Sequence, residues 1–234
     1  MTEQNFLAKR DDWADFLFGE ALLFDLLGKL IYSIPDRDWL QSLYANEVFT
    51  EAPFAMEQPD VIDGLELLNR WGHPLAGNDE SLLQDLKPDN TRLFFGPGRV
   101  LAPLWESVYF TEERLVFQES TLDVRRWYQR FGLEPESLHK EPDDHIALEM
   151  AFLAHLAKLS VQALETGKEE ECEILLQAQR EFAKQHLLKW AAVWCQQVTE
   201  NARTEFYKGV ALLTRGALAE LSQALNLEMM ESIK

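Results

Sequence analysis

The chain carries five histidines and two cysteines, and their neighbours decide what chemistry they could do. Glu136 and His139 have Glu-x-x-His spacing, but they sit beside Pro135 in a loop. A helical di-metal site needs two such pairs on long helices plus two further carboxylates. On one apolar stretch stand His145, Glu149 and His155. At helical spacing Glu149 lies about 40° from His145 and His155 about 80° away on the other side, so the three do not converge on one ion. Gly96-Pro97-Gly98 lacks the lysine and the preceding strand of a phosphate loop, and no HExxH or nucleophile-elbow sequence occurs. Cys172 and Cys195 form no CxxC pair. The sequence therefore predicts no catalytic group, no metal and no cofactor.

What remains is chemistry of recognition. Glu141-Pro142-Asp143-Asp144-His145 precedes a long apolar run. Proline and carboxylates there are expected in the first turn of a helix, whose free amides and dipole favour them. The acids should raise the His145 pKa while the helix N-terminus opposes that. The acids are either helix-start groups or ligand-facing ones, and both readings stay open. A second stretch, Asn90 to Tyr109, is broken at Gly96-Pro97-Gly98 and at Pro103, so no regular element runs through it. Yet it holds Leu93, Phe94, Phe95, Val100, Leu101, Leu104, Trp105, Val108 and Tyr109. Connecting loops are usually polar and superficial. This one is a buried strap or the wall of a binding groove.

Helices must position both stretches. Apolar residues from Trp13 to Tyr32 recur every three or four positions and stop at Ser33-Ile34-Pro35. Asp36 should cap a helix bearing Trp39, Leu40, Leu43 and Tyr44, and a third is expected from Pro59 to Trp71. Asn78 should cap a fourth through Leu86, with Pro88 kinking it or starting a new turn. After an acidic connector, 111–114, Leu115-Val116-Phe117 reads as a short extended piece. Ser120 or Thr121 should cap a helix over Leu122–Phe131, ended by Gly132. The nearly all-apolar helix that Glu141–His145 opens reads from Ile146 to Leu164, ends at Gly167 and is expected to be central and buried. Helices over 168–184, 185–201 and 204–225 complete the chain, with Trp190 and Trp194 facing the core. No strand-length alternation appears. The expected fold is a single all-α domain, with halves over about 1–110 and 141–226 joined by a connector over 111–140.

The net charge of −18 disfavours nucleic acid and anionic membranes and favours cationic partners. The N-terminal residues contain no secretory pattern, and Glu20, Asp25 and Lys29 interrupt the early apolar segment, so neither export nor stable membrane insertion is expected. Two unpaired-spaced cysteines suit a reducing compartment, and the expected location is cytoplasmic.

Three motifs in order then become informative: Arg92-Leu93-Phe94-x-Gly96-Pro97, Pro103-x-Trp105-x-Ser107-Val108-Tyr109, and Glu141-Pro142-x-Asp144-His145. Together they resemble the TorD/DmsD/NarJ family of cytoplasmic chaperones for molybdenum-containing redox enzymes, nearest its TorD and DmsD branch. The resemblance runs from the first helix to about Leu225. It implies a non-catalytic chaperone that binds the twin-arginine leader peptide of a DMSO/TMAO-type reductase and holds back export until the cofactor is inserted. It also implies a contact with that catalytic subunit. By position, Leu93, Phe94, Pro103 and Trp105 would line the peptide site. Pro142, Asp144 and His145 would form its other edge, and Tyr32 is a looser match. Glu141, Asp143 and Asp144 could meet guanidinium groups. Asn90, Gly98 and Leu104 depart from the family pattern. Alternatives are a NarJ-like chaperone for a non-exported reductase subunit and a weak nucleotide-binding enzyme. The expected state is a monomer, with a domain-swapped dimer allowed by the linker over 134–140.

Overall fold

The computed structural model describes residues 10–77, 81–96, 98–110, 115–134 and 141–230. The expectations for Asn78, Pro97, the connector 111–114, the Glu136–His139 pair and the linker after Glu134 fall outside those residues, as does the start of the chain. The described residues are all-α, with helices α1 (Arg10–Tyr32), α2 (Arg37–Ala45), α3 (Pro59–Gly72), α4 (Leu83–Asn90), α5 (Ser107–Phe110), α6 (Glu119–Arg130), α7 (Ile146–Glu165), α8 (Glu169–Gln185), α9 (Ala191–Asn201) and α10 (Glu205–Ala224). Their only β-type pairing is one isolated antiparallel bridge, Trp105 to His145.

α7 is the axis of the fold. It packs along α1 on one side and α8 on the other, while α3 packs along α10. The two halves of the chain are thus interleaved, because α1 and α3 of the first pack along α7 and α10 of the second. α7 is also the one described helix long and apolar enough to cross a membrane, but most of it is buried inside the protein. α3 and α10 meet backbone to backbone at Gly64 and Gly209: a Cβ on either would come within 2.9 Å of the other's carbonyl oxygen. Trp190 and Trp194 are buried, as the periodicity predicts.

Local signals set several boundaries. Asp36 caps α2 by accepting the Trp39 amide at 2.9 Å, and Thr204 caps α10. Pro88 lies inside α4, which passes into a single π turn over Thr91–Phe95. Four expectations change. α6 starts at Glu119, so Thr121 is interior, and its hydroxyl bonds Asp144 instead of capping. α7 starts at Ile146 with His145 as N-cap, so Pro142, Asp143 and Asp144 precede the helix. The stretch 185–201 is broken at His186 (φ −124°, ψ −95°) into a 3-10 turn and α9. Leu115-Val116-Phe117 forms no strand; Phe117 takes a φ of +59°, which bends the chain.

Candidate functional site

The strap after α4 is anchored before it reaches any surface. Asp89, buried, accepts from Arg92 at 2.8 Å and from the Arg203 and Thr204 amides and the Thr204 hydroxyl at 2.8–2.9 Å. Arg92 also donates to the Asn201 carbonyl. Arg92 and Asp89 therefore tie the strap to the α9–α10 junction. The Gly96 amide closes the π turn on Thr91, at a φ of +87° that suits glycine. The chain loops out through Gly98 and Arg99 and returns, where the Leu101 and Ala102 amides both donate to the Leu93 carbonyl. Leu93 and Phe94 lie in the core: Phe94 is 1% exposed, stacked on Trp194 with centroids 6.1 Å apart and edge-on to Tyr207. Neither presents a surface to a ligand. Asn90 donates to the buried Tyr207 hydroxyl, and Leu104 is buried as well.

The return limb of the strap does form a wall. Arg99, Val100, Pro103, Trp105 and Val108, with Val116 from the approach to α6, line a groove of about 400 Å³. Next in the chain to these residues, Phe110, Leu115 and Phe117 are exposed, Phe117 to 52%. Strap and groove wall are thus one segment: Leu93 and Phe94 of its π turn are buried, while Val100, Pro103, Trp105 and Val108 further along it line the groove.

Residues 141–145 lock onto this wall. The Glu106 amide donates to the Asp144 carbonyl and the Ile146 amide to the Leu104 carbonyl. Asp144, fully buried, accepts from the Ser107 amide at 2.7 Å and the Thr121 hydroxyl at 2.8 Å. Asp143, also fully buried, accepts from Arg125 at 2.5 Å, and its carbonyl takes the Tyr128 hydroxyl. The two aspartates hold the α7 entry to α6 and to the strap, and neither offers an oxygen to solvent. Glu141 differs. It is half-buried, and its Oε1 takes the Trp105 indole N–H at 2.6 Å. Burial raises its carboxyl pKa, opposed by the indole bond and reinforced by Asp144.

His145, buried, uses Nδ1 to accept the Ala147 amide. Its ring packs edge-on to Tyr32 at 5.4 Å and to Trp105 at 6.0 Å, which joins α1, strap and α7 in one aromatic cluster. Tyr32 is 44% exposed, and Pro103 and Pro142 are buried. The expected rise in the His145 pKa is reversed: burial lowers it to about 3, because the imidazolium would lose its water. The acids expected to raise it turn their carboxylates toward α6 and the strap.

The structure thus brings Tyr32, Trp105, Glu141 and His145 together, with Pro103 on the same wall. It keeps Leu93, Phe94, Asp143 and Asp144 inside. Residue patterns alone missed Arg99 and Val116 in the groove, although Arg99 is the one cation between Gly96 and Tyr109. They also missed a buried polar layer that includes Glu106, next to Trp105 in the chain. There His186 Nδ1 lies 2.9 Å from Glu106, and Glu149 has its carboxyl pKa raised well above the ordinary value by burial, then by Glu106 and Asp144. No local signal marks that layer, because Glu106, Glu149 and His186 come from three separate stretches. No grouping that could hold a metal ion occurs among the described residues.

Comparison with known proteins adds a lineage to this geometry. A family model described as nitrate reductase delta subunit matches residues 58–196. The Tat proofreading chaperone DmsD of Salmonella typhi is 33% identical over 129 residues, 55% of this chain and 56% of that protein. The chaperone protein TorD of Vibrio cholerae serotype O1 (strain ATCC 39541) is 31% identical over 159 residues, 68% of this chain and 67% of that protein. TorD of Aliivibrio fischeri is 26% identical over 185 residues, 74% and 84% of the two chains. The matched part thus spans little more than half the length of the Salmonella relatives.

Proposed function

The chain belongs to the TorD/DmsD/NarJ family, by its match to the nitrate reductase delta subunit model over more than half its length, and we propose that it is a non-catalytic maturation chaperone whose groove binds the twin-arginine leader of a molybdenum-cofactor reductase. The observation that carries this reading is the groove wall itself. Val100, Pro103, Trp105, Val108 and Val116 present an apolar channel, and Glu141 sits at the indole edge of Trp105. A twin-arginine leader is a basic segment followed by an apolar one. An apolar groove with a carboxylate beside it, on a chain of net charge −18, complements both parts. Glu141 is the acid of the 141–145 segment left to meet a guanidinium, since Asp143 and Asp144 are engaged inside. His145, itself packed on Tyr32, supports Trp105 edge-on, and Leu93 and Phe94 fix the strap from within.

The names of the relatives, Tat proofreading chaperone and chaperone protein, agree with this function. The description of the family model favours one second reading, assembly of a nitrate reductase that carries no exported leader. Calorimetric titration with leader peptides from the reductases of the same host separates the two. One leader should bind saturably, bind at least tenfold more weakly to Trp105→Ala, and fail after scrambling. Binding of the mature reductase but of no leader would favour the second reading. Equal binding of every basic peptide, fading with salt, would defeat both.

A further inference from the structure

Arg99 is out of keeping with the groove it lines. The chain is strongly acidic, and the other lining residues, Val100, Pro103, Trp105, Val108 and Val116, offer apolar side chains. Several other cations are paired with carboxylates: Arg92 with Asp89, Arg125 with Asp143, Arg126 with Asp123 and Lys158 with Asp25. Arg99 is exposed and makes no ion pair or hydrogen bond with the described residues. It is carried on the loop that the Leu93 carbonyl closes, beside Gly98 with its φ of +95°, so the backbone aims this turn outward. The one carboxylate of the 141–145 segment that is not fully buried, Glu141, is not part of the lining and is held at the Trp105 indole nitrogen. The cation therefore stands inside the groove and the anion at its edge.

We propose that Arg99 is a specificity-determining residue that makes the groove directional, excluding basic residues from the segment inside it and accepting a carboxylate there, so that the arginines of a bound leader lie outside, at Glu141. This rests on the leader-binding reading above and adds the ligand's polarity to it. A guanidinium beside a bound peptide repels a second one and attracts a carboxylate, and the covering peptide removes part of the water that would screen them. A solvent-facing pair contributes up to about 1 kcal/mol, which is about fivefold in affinity. Replacing a carboxylate by an ammonium at one position should therefore change affinity by about tenfold.

The test uses fluorescein-labelled synthetic peptides with paired arginines followed by a leucine- and alanine-rich stretch. One version carries a single Glu within that stretch, one a single Lys, and a fourth has the order of the two parts reversed. Anisotropy titrations are run with the full chain, with Arg99→Gln and with Arg99→Glu. Because Arg99 bonds to none of the described residues, the variants should keep the parent's thermal midpoint. The unaltered protein should favour the Glu peptide over the Lys peptide about tenfold and reject the reversed peptide. Arg99→Gln should level the preference and Arg99→Glu should invert it. A Glu/Lys ratio that is the same in all three proteins overturns the proposal, even where the parent peptide binds and Trp105→Ala abolishes that binding. Failure of every peptide to bind the unaltered protein overturns both the leader reading and this one.

Discussion

Glu20 on α1 and Gln179 on α8 meet where no water reaches them. The Gln179 amide donates to Glu20 Oε1 at 2.5 Å, while Glu20 Oε2 and Gln179 Oε1 are both buried without a partner. A proton on Oε2 would turn one orphaned acceptor into a donor. Burial, opposed by the Gln179 bond, raises the Glu20 carboxyl pKa from 4.5 to about 8. Between these values the folded state holds a proton that the unfolded chain has released. The resulting stability is fully present below about pH 4.5 and is lost as pH rises toward 8, at about 1.4 kcal/mol per pH unit. Glu20→Gln keeps the shape, puts an N–H donor where the acid has O–H, and removes the titration. From about pH 5.5 to about pH 7.5 the parent should lose about 3 kcal/mol relative to the variant. Urea unfolding of both proteins at the two pH values, extrapolated to water, measures that difference. Parallel pH profiles, or a variant less stable than the parent at the higher pH, would refute the neutral-acid reasoning.

Phe94→Ala should cost about 3–5 kcal/mol of unfolding free energy, because it empties a core position against Trp194 and Tyr207. A cost below about 1 kcal/mol would put the ring at a surface instead. Asp144→Ala should cost about 3 kcal/mol, since the buried Ser107 amide and Thr121 hydroxyl lose their acceptor. A stable variant with unchanged midpoint would show that the aspartate does not hold the α7 entry. The His145 imidazole, with its pKa lowered to about 3, should show no titration by NMR between pH 5 and 8. Its neutral burial contributes stability that is present above about pH 6.5 and is lost as pH falls toward 3. A midpoint near 6.5 would place the ring in water.

The sequence by itself determined the helical class, the family, the Asp36 and Thr204 boundaries, the central place of α7 and the inward-facing tryptophans. The family follows from three short motifs in order, and the rest from periodicity or from signals written in a few adjacent residues. It also singled out the strap and the 141–145 segment. Only the tertiary structure decided which side each residue of those stretches takes. An irregular segment has no period from which to read a face, so Phe94 and Trp105 look alike in sequence. One is stacked in the core and the other is held at a groove by Glu141. The same holds for the carboxylates. Nothing local distinguishes Asp144 from Glu141, and the partners that do so, Ser107, Thr121 and Trp105, come from 23 to 37 residues away. Burial reversed the expected His145 shift for the same reason, because desolvation depends on helices that converge only when the chain folds.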